Sequence, residues 1–239
     1  MSVPARVVSR VGRRETLVVH ALSAAAASAD VVSYLGLGRA FPANMTGNTV
    51  LLGIGVATGD LAAAGRSATA LVAFLLGAGV VGATVPVRGR SRGLVGVLVV
   101  ELLLLAALPA WWLALPGRPS GWPQHALIAL LGGAMGMQSA VTHRWGRAGV
   151  STTYITGTWT AFSIGVASRL RGWETGKSVG PLHREATVLG LYALTALGVA
   201  AAFTAWRAWA ALIPVALLAL SVATAVAVNR ARSAATFPH

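Results

Sequence analysis

The chain has no cysteine, so disulfides, thiolate metal centres and cysteine nucleophiles are excluded together, and cysteine usage gives no reading of the redox compartment. Lysine occurs once, at Lys177, beside 18 arginines, and only 10% of the 239 residues carry charge. There is no HExxH metal motif and no glycine-rich phosphate loop ending in Lys-Ser/Thr. Ser28, Ser33, Ser139 and Ser163 lie in apolar sequence with no histidine at comparable depth to act as a base. Of the five histidines, His20, His125, His143 and His183 fall at segment ends or in loops, and no two have the i, i+4 spacing of a metal pair. We therefore expect neither an enzyme nor a cofactor or metal protein.

What fills the chain instead is apolar. Hydrophobic residues make up 56% of it and the mean hydropathy is +0.71, far above what one soluble core requires. Several runs approach the roughly 20 residues that cross a bilayer. An all-α, polytopic membrane helix bundle follows, with the lipid bilayer as its first partner. The net charge of +13 would suggest nucleic acid in a soluble protein. Here the arginines lie between apolar segments, as in cytoplasmic loops, so nucleic acid is not expected as a partner.

One stretch occurs twice. Residues 38–57, GRAFPANMTGNTVLLGIGVA, are echoed by GRAGVSTTYITGTWTAFSIGVAS from Gly146. The offset is 108 residues before a two-residue insertion and 110 after it. Each copy is a polar, glycine-punctuated break inside apolar sequence, so the chain reads as two membrane repeats, 17–115 and 126–228. A linker at 116–125 joins them, with a basic tail at 1–16 and a C-terminal tail at 229–239. The N-terminal arginines and the Ala27-Ser28-Ala29 run mimic a cleavable signal. The region has a duplicate at 132–148, however, and is read as the first membrane helix.

Apolar segments run 17–37, 43–59, 67–87, 93–115, 126–142, 152–168, 185–206 and 208–228. The second and sixth have 17 residues, about 25 Å of helix, marginal for a hydrocarbon core of about 30 Å. If all eight segments cross with the N-terminus inside, 12 Lys+Arg are cytoplasmic and 7 lie outside, including Arg88, Arg90 and Arg92. If the two short segments enter and leave on one side, the division is 15 and 4, leaving Arg39, Arg66, Arg118 and Arg207 outside. The positive-inside bias prefers the second arrangement: six crossings, two re-entrant segments and both termini cytoplasmic. Three crossings per repeat is odd, so the repeats are expected to be inverted, an architecture that places sites near the midplane. Tryptophans 111, 112, 122, 145, 173, 206 and 209 stand near segment ends, as interfacial anchors do.

A broken helix exposes backbone groups that hydrocarbon does not tolerate. In the first copy Gly36, Gly38 and Pro42 end one helix and Asn44 is placed to cap the next; in the second, Gly146 and Gly149 end it and Ser151 or Thr152 caps. Helix N-termini favour anionic or polar groups. Asp30, Asn44, Thr46, Asn48, Gln138, Thr153, Thr156 and Thr158 are thus the expected lining for a small-molecule solute; the alternative is that they only satisfy a buried bend. Asp30 stands some 20 Å into its segment, with Gln138 as its equivalent, and reads either as a functional acid or as a structural clamp. Glu101, in VVELLLL, reads either as a proton relay, alongside Asp30, or as the partner of an arginine or backbone donor. Gly132 with Gly136, and Ala78 with Gly82, form small-xxx-small faces suited to close helix packing.

With Asp30, ANMTGNTV, GMQSA at Gly136–Ala140 and TTYITGT at Thr152–Thr158 in view, the pattern resembles the YoaK-like family of bacterial inner-membrane proteins, a domain of unknown function. The resemblance covers roughly 17–228. It implies a multi-pass protein of the bacterial inner membrane and transfers no catalytic or binding residues. The functional expectation is a transporter or channel for a small polar or anionic solute. A non-transporting scaffold or partner subunit is the alternative, and homo-oligomerisation is left open.

Overall fold

The computed structural model describes residues 5–85, 90–115, 117–144, 155–173 and 182–236, and these fold into eight helices: α1 (Ala5–Gly36), α2 (Met45–Ala57), α3 (Leu61–Thr84), α4 (Arg90–Ala114), α5 (Trp122–Arg144), α6 (Ile155–Leu170), α7 (Leu182–Ala210) and α8 (Leu212–Thr236). Among them α1, α3, α4, α5, α7 and α8 are long and apolar enough to span a membrane. The helices follow the expected apolar segments and several run past them: α3 already begins at Leu61, and α8 continues to Thr236 through most of the expected C-terminal tail. α1 begins at Ala5, so most of the expected basic tail is continuous with the first membrane helix. α5 begins at Trp122, with Pro123 in its first turn, where a missing N–H costs nothing.

Burial separates the helices into a centre and a periphery. The apolar windows of α1 and α5 are 67% and 56% buried, whereas those of the other four spans are 22–33% buried. The inner pair carries six of the twelve buried polar side chains among the described residues, Ser23, Ser28, Asp30, Ser33, Gln138 and Thr142, while Leu75, Leu76, Leu103, Leu194 and Leu197 stand exposed on the outer helices. Apolar outside and polar inside is the arrangement lipid demands. Small residues bring the backbones together. A methyl on Gly77 would meet the Gly133 carbonyl oxygen at 2.1 Å, and one on Gly136 would meet that of Phe74 at 2.1 Å. The Gly132–Gly136 face therefore packs as expected, and Ala78 lies against Gly136. Gly82 has open space around it, and its carbonyl accepts Arg144 Nη2 at 2.9 Å.

The larger helix pairings come in matched sets. α3 packs along α5 and α7 along α1; α4 packs on α5 and α8 on α1; α2 lies on α3 and α6 on α7; α4 meets α8. Exchanging the first four helices with the last four reproduces this set, so the duplication extends from sequence to packing. The short helices repeat it in detail. The buried residues of α2 are Asn48 and Gly55, and those of α6 are Thr158 and Gly165, the same positions at an offset of 110.

Polar contacts fix the directions. Gln124 Nε2 donates to Leu37 O (3.0 Å) and Gln138 Nε2 to Leu22 O (3.1 Å), so α5 runs antiparallel to α1. Thr69 Oγ1 meets His125 Nδ1 at 2.8 Å near the start of both α3 and α5, and Arg144 at the end of α5 donates to Val85 O beyond the end of α3, so these two run parallel. α3 therefore starts at the level where α1 stops, as the Arg66 Nε to Gly38 O bond of 2.7 Å also requires. α2 occupies the chain between them and leaves and returns at one end of the bundle.

Candidate functional site

The first break is built from the last turns of α1. Leu37 N bonds to Ser33 O and Arg39 N to Tyr34 O, closing the helix. Gly38 and Arg39 then take left-handed backbone, φ 81° and 69°, and turn the chain back towards the bundle. Such a conformation is routine for glycine and costs an arginine about 1 kcal/mol. Residues 40–44 descend along α1 to the level of Asp30, and α2 starts there.

Lipid would leave the polar backbone of this descent unsatisfied, and side chains from both flanking helices meet it instead. Ser33 Oγ donates to Ala40 O at 2.9 Å. Asn48 forms a two-way clasp with Phe41, its Oδ1 accepting from the backbone N–H (3.0 Å) and its Nδ2 donating to the carbonyl (2.5 Å). Asp30 Oδ1 accepts from Ala43 N–H at 2.7 Å, the backbone N–H of Asn44 also donates to the Asp30 carboxyl, and Tyr192 on α7 donates to Oδ2 at 3.3 Å. Asn44 caps α2 through Gly47 N–H at 3.0 Å, as the sequence suggests. The rings of Tyr34 and Phe41 stack at 4.8 Å. The outcome is a re-entrant loop locked to α1, with a half-helix of 13 residues, about 20 Å, rising from it.

The expected lining residues divide accordingly. Asp30, Asn44 and Asn48 come together around the first loop. Thr46 and Asn44 are exposed on α2, as Thr156 is on α6, whereas Asn48 and Thr158 are buried. Gln138, the equivalent of Asp30, is fully buried and reaches Leu22 on α1 rather than the first loop. Thr153, with Gly146, Gly149, Ser151, Thr152 and Trp145, lies outside the described residues.

Glu101 has a different setting. It is fully buried on α4 in the stripe Leu94, Leu98, Glu101, Leu105, Leu108, and the matching stripe of α8 is Pro214, Leu218, Ser221, Ala225, Val228, a constant 120 residues on. The two helices pack on each other. Neither carboxyl oxygen of Glu101 has a hydrogen-bond partner among the described residues. The arginine or backbone donor expected as one reading of Glu101 is absent there.

At the end of the bundle where α1 stops, two cavities of about 270 and 440 Å³ share Gly38 and Arg39. Among the described residues no group of three His, Asp or Glu side chains gathers as a metal site.

The chain is similar over residues 18–225 to a family described as a protein of unknown function, DUF1275. It belongs to the DUF1275 family. It is also 37% identical over 142 residues to the UPF0700 transmembrane protein YoaK of Bacillus subtilis (strain 168), an alignment spanning 59% of this chain and 62% of that protein. No solved structure matches. For DUF1275 the structure thus supplies geometry where similarity supplies no activity: an integral, multi-pass membrane protein whose duplicated TG motifs begin its two short helices.

Tyr192, Ser33 and Phe41 are the participants that sequence reasoning missed. Tyr192 lies 162 positions from Asp30, and nothing local announces the pair. Ser33 and Phe41 sit beside the motif, and the need to satisfy each loop amide and carbonyl was the available signal.

Proposed function

We propose that this protein carries a small polar or anionic solute across the bacterial inner membrane, using two inverted repeats, with both termini cytoplasmic. The observation that carries the reading is the antiparallel pairing of α1 with α5, the equivalent helices of the two repeats, at the centre of the bundle. Equivalent helices running in opposite directions are related by an axis across them, which is the relation found between the repeats of many transporters. A polar re-entrant loop on the central helix, and a second polar central helix beside it, support a path between the repeats.

In this reading the two buried acids have different tasks. Asp30 positions the first loop through Ala43, Asn44 and Tyr192. Glu101, which meets no donor among the described residues, is the group that binds the coupling proton, in the seam where α4 packs on α8. A membrane-buried carboxyl without a structural partner is functional by default. Purified protein in liposomes is expected to show solute flux linked to a proton gradient, and Glu101→Gln to abolish the linkage. Proton-linked flux unchanged by Glu101→Gln sinks the coupling role.

One observation favours a non-transporting scaffold or partner subunit instead: the polar groups of the first loop are met by its own neighbours, as a structural bend requires. That reading predicts no flux for any solute in vesicles holding folded protein.

A further inference from the structure

We infer that the mouth of the first re-entrant loop is an oxyanion-binding vestibule, built by Arg39, Arg66 and Arg118 around Gly38. Three distant parts of the chain bring these guanidiniums to one place. Arg39 follows the left-handed turn that ends α1, Arg66 stands in the second turn of α3, and Arg118 lies in the linker before α5. Arg39 and Arg66 line the smaller cavity; Arg39 and Arg118 line the larger one, with Tyr34 and Gln124.

The site is held rather than merely populated. Arg66 Nε is fixed to Gly38 O at 2.7 Å and Gln124 Nε2 to Leu37 O at 3.0 Å. Both side chains press on Gly38, where a methyl would approach Gln124 Nε2 at 2.8 Å and Arg66 Nε at 2.9 Å. The Arg66 bond uses one donor of five and leaves the terminal nitrogens of the fork, the pair that matches two oxygens of a carboxylate or phosphate. Arg39 keeps a backbone conformation that arginine adopts only where its surroundings impose it.

No carboxylate pairs with any of the three guanidiniums among the described residues. Asp60 lines the smaller cavity, but its Oδ1 caps α3 through Ala63 N–H at 2.9 Å. With three guanidiniums against the single carboxylate of Asp60, the shared cavities keep a net positive charge at a low-dielectric boundary, and an anion relieves the remaining repulsion. The topology sharpens the point. Only four basic residues are expected on the non-cytoplasmic side, and three of them gather here; the fourth is Arg207.

The ligand chemistry is that of a phosphate or carboxylate oxyanion, supplied either by a free solute or by a lipid headgroup. The role of the vestibule as the first stop of a translocated anion rests on the transport reading; the binding itself does not. The test is calorimetric titration of the full chain in non-ionic detergent with inorganic phosphate and with acetate, at constant ionic strength set by chloride. It is repeated in nanodiscs with and without phosphatidylglycerol. We expect saturable binding of one anion per chain, about tenfold weaker in Arg39→Gln and in Arg118→Gln. Both side chains are exposed, so folding is retained, and Arg207→Gln serves as the silent control.

Phosphate or acetate binding that persists with phosphatidylglycerol identifies a free solute. Binding that appears only as competition by phosphatidylglycerol identifies the headgroup. Either supports the vestibule. No saturable binding in either medium, or an Arg207→Gln variant weakened as much as Arg118→Gln, overturns it. Flux in proteoliposomes is read separately on the same variants: binding without flux keeps the vestibule and removes the transporter, and flux without binding does the reverse.

Discussion

Asp30 and Glu101 are both acids buried in membrane-spanning helices, and the difference between them is the number of donors that meet each carboxyl. Asp30 receives Ala43, Asn44 and Tyr192, and through them joins α1, the loop, α2 and α7. Glu101 lies in an apolar seam and receives none among the described residues. Two acids buried in membrane-spanning helices therefore have opposite hydrogen-bond settings. In the proposed reading the acid with its bonds made belongs to the frame, and the one with its bonds unmade binds the proton.

The comparison can be broken by measuring stability. Asp30→Ala leaves two loop N–H groups and a tyrosine hydroxyl without their acceptor, and we expect a loss of about 3 kcal/mol in reversible unfolding from mixed micelles. A loss no larger than that of an exposed substitution would mean the donors find other partners. Asn48→Ala removes both halves of the Phe41 clasp while keeping Asp30, and about 2 kcal/mol is expected in the same assay. Tyr192→Phe deletes one long bond of 3.3 Å, and about 0.6 kcal/mol is expected, in line with side-chain bonds in membrane proteins generally. In the Asp30→Ala background the tyrosine substitution should add nothing, since the pair would already be broken. Glu101→Leu stands at the opposite pole. Replacing an unpaired buried carboxyl by an apolar side chain of similar size is neutral or stabilising, so its unfolding free energy should equal or exceed that of the natural chain. A clear loss of stability in Glu101→Leu would place Glu101 in the frame beside Asp30.

The legible part of the molecule was whatever local sequence controls. Six long helices, the Asn44 cap and the Gly132–Gly136 packing face follow from apolar length, a capping residue before a TG turn, and small residues four apart. The two short helices were legible as a duplication, and their buried pairs Asn48/Gly55 and Thr158/Gly165 fall at one offset. The helical state of the basic tail was not legible, because α1 continues back through it to Ala5. What could not be read were the partners that chain direction brings together: Tyr192 to Asp30, Arg66 to Gly38, and Gly77 to Gly133. Each pairing is set by how helices distant in sequence stack. The expected lining was legible as a set of polar residues but not as a place. Asp30, Asn44 and Asn48 close the first loop, Gln138 bonds to α1 well away from it, and Thr46 and Thr156 stand exposed.

Everything assigned to Asp30 depends on the chain turning back at Gly38, so that α2 enters and leaves at one end of the bundle. The absence of natural cysteine makes this directly measurable. Single cysteines in place of Arg39, at the turn, and of Thr58, at the far end of α2, are both exposed positions. With a membrane-impermeant maleimide applied to intact cells and to inverted vesicles, the account predicts labelling of both from the same side. Labelling of the two from opposite sides would show that α2 crosses the membrane, and would contradict it.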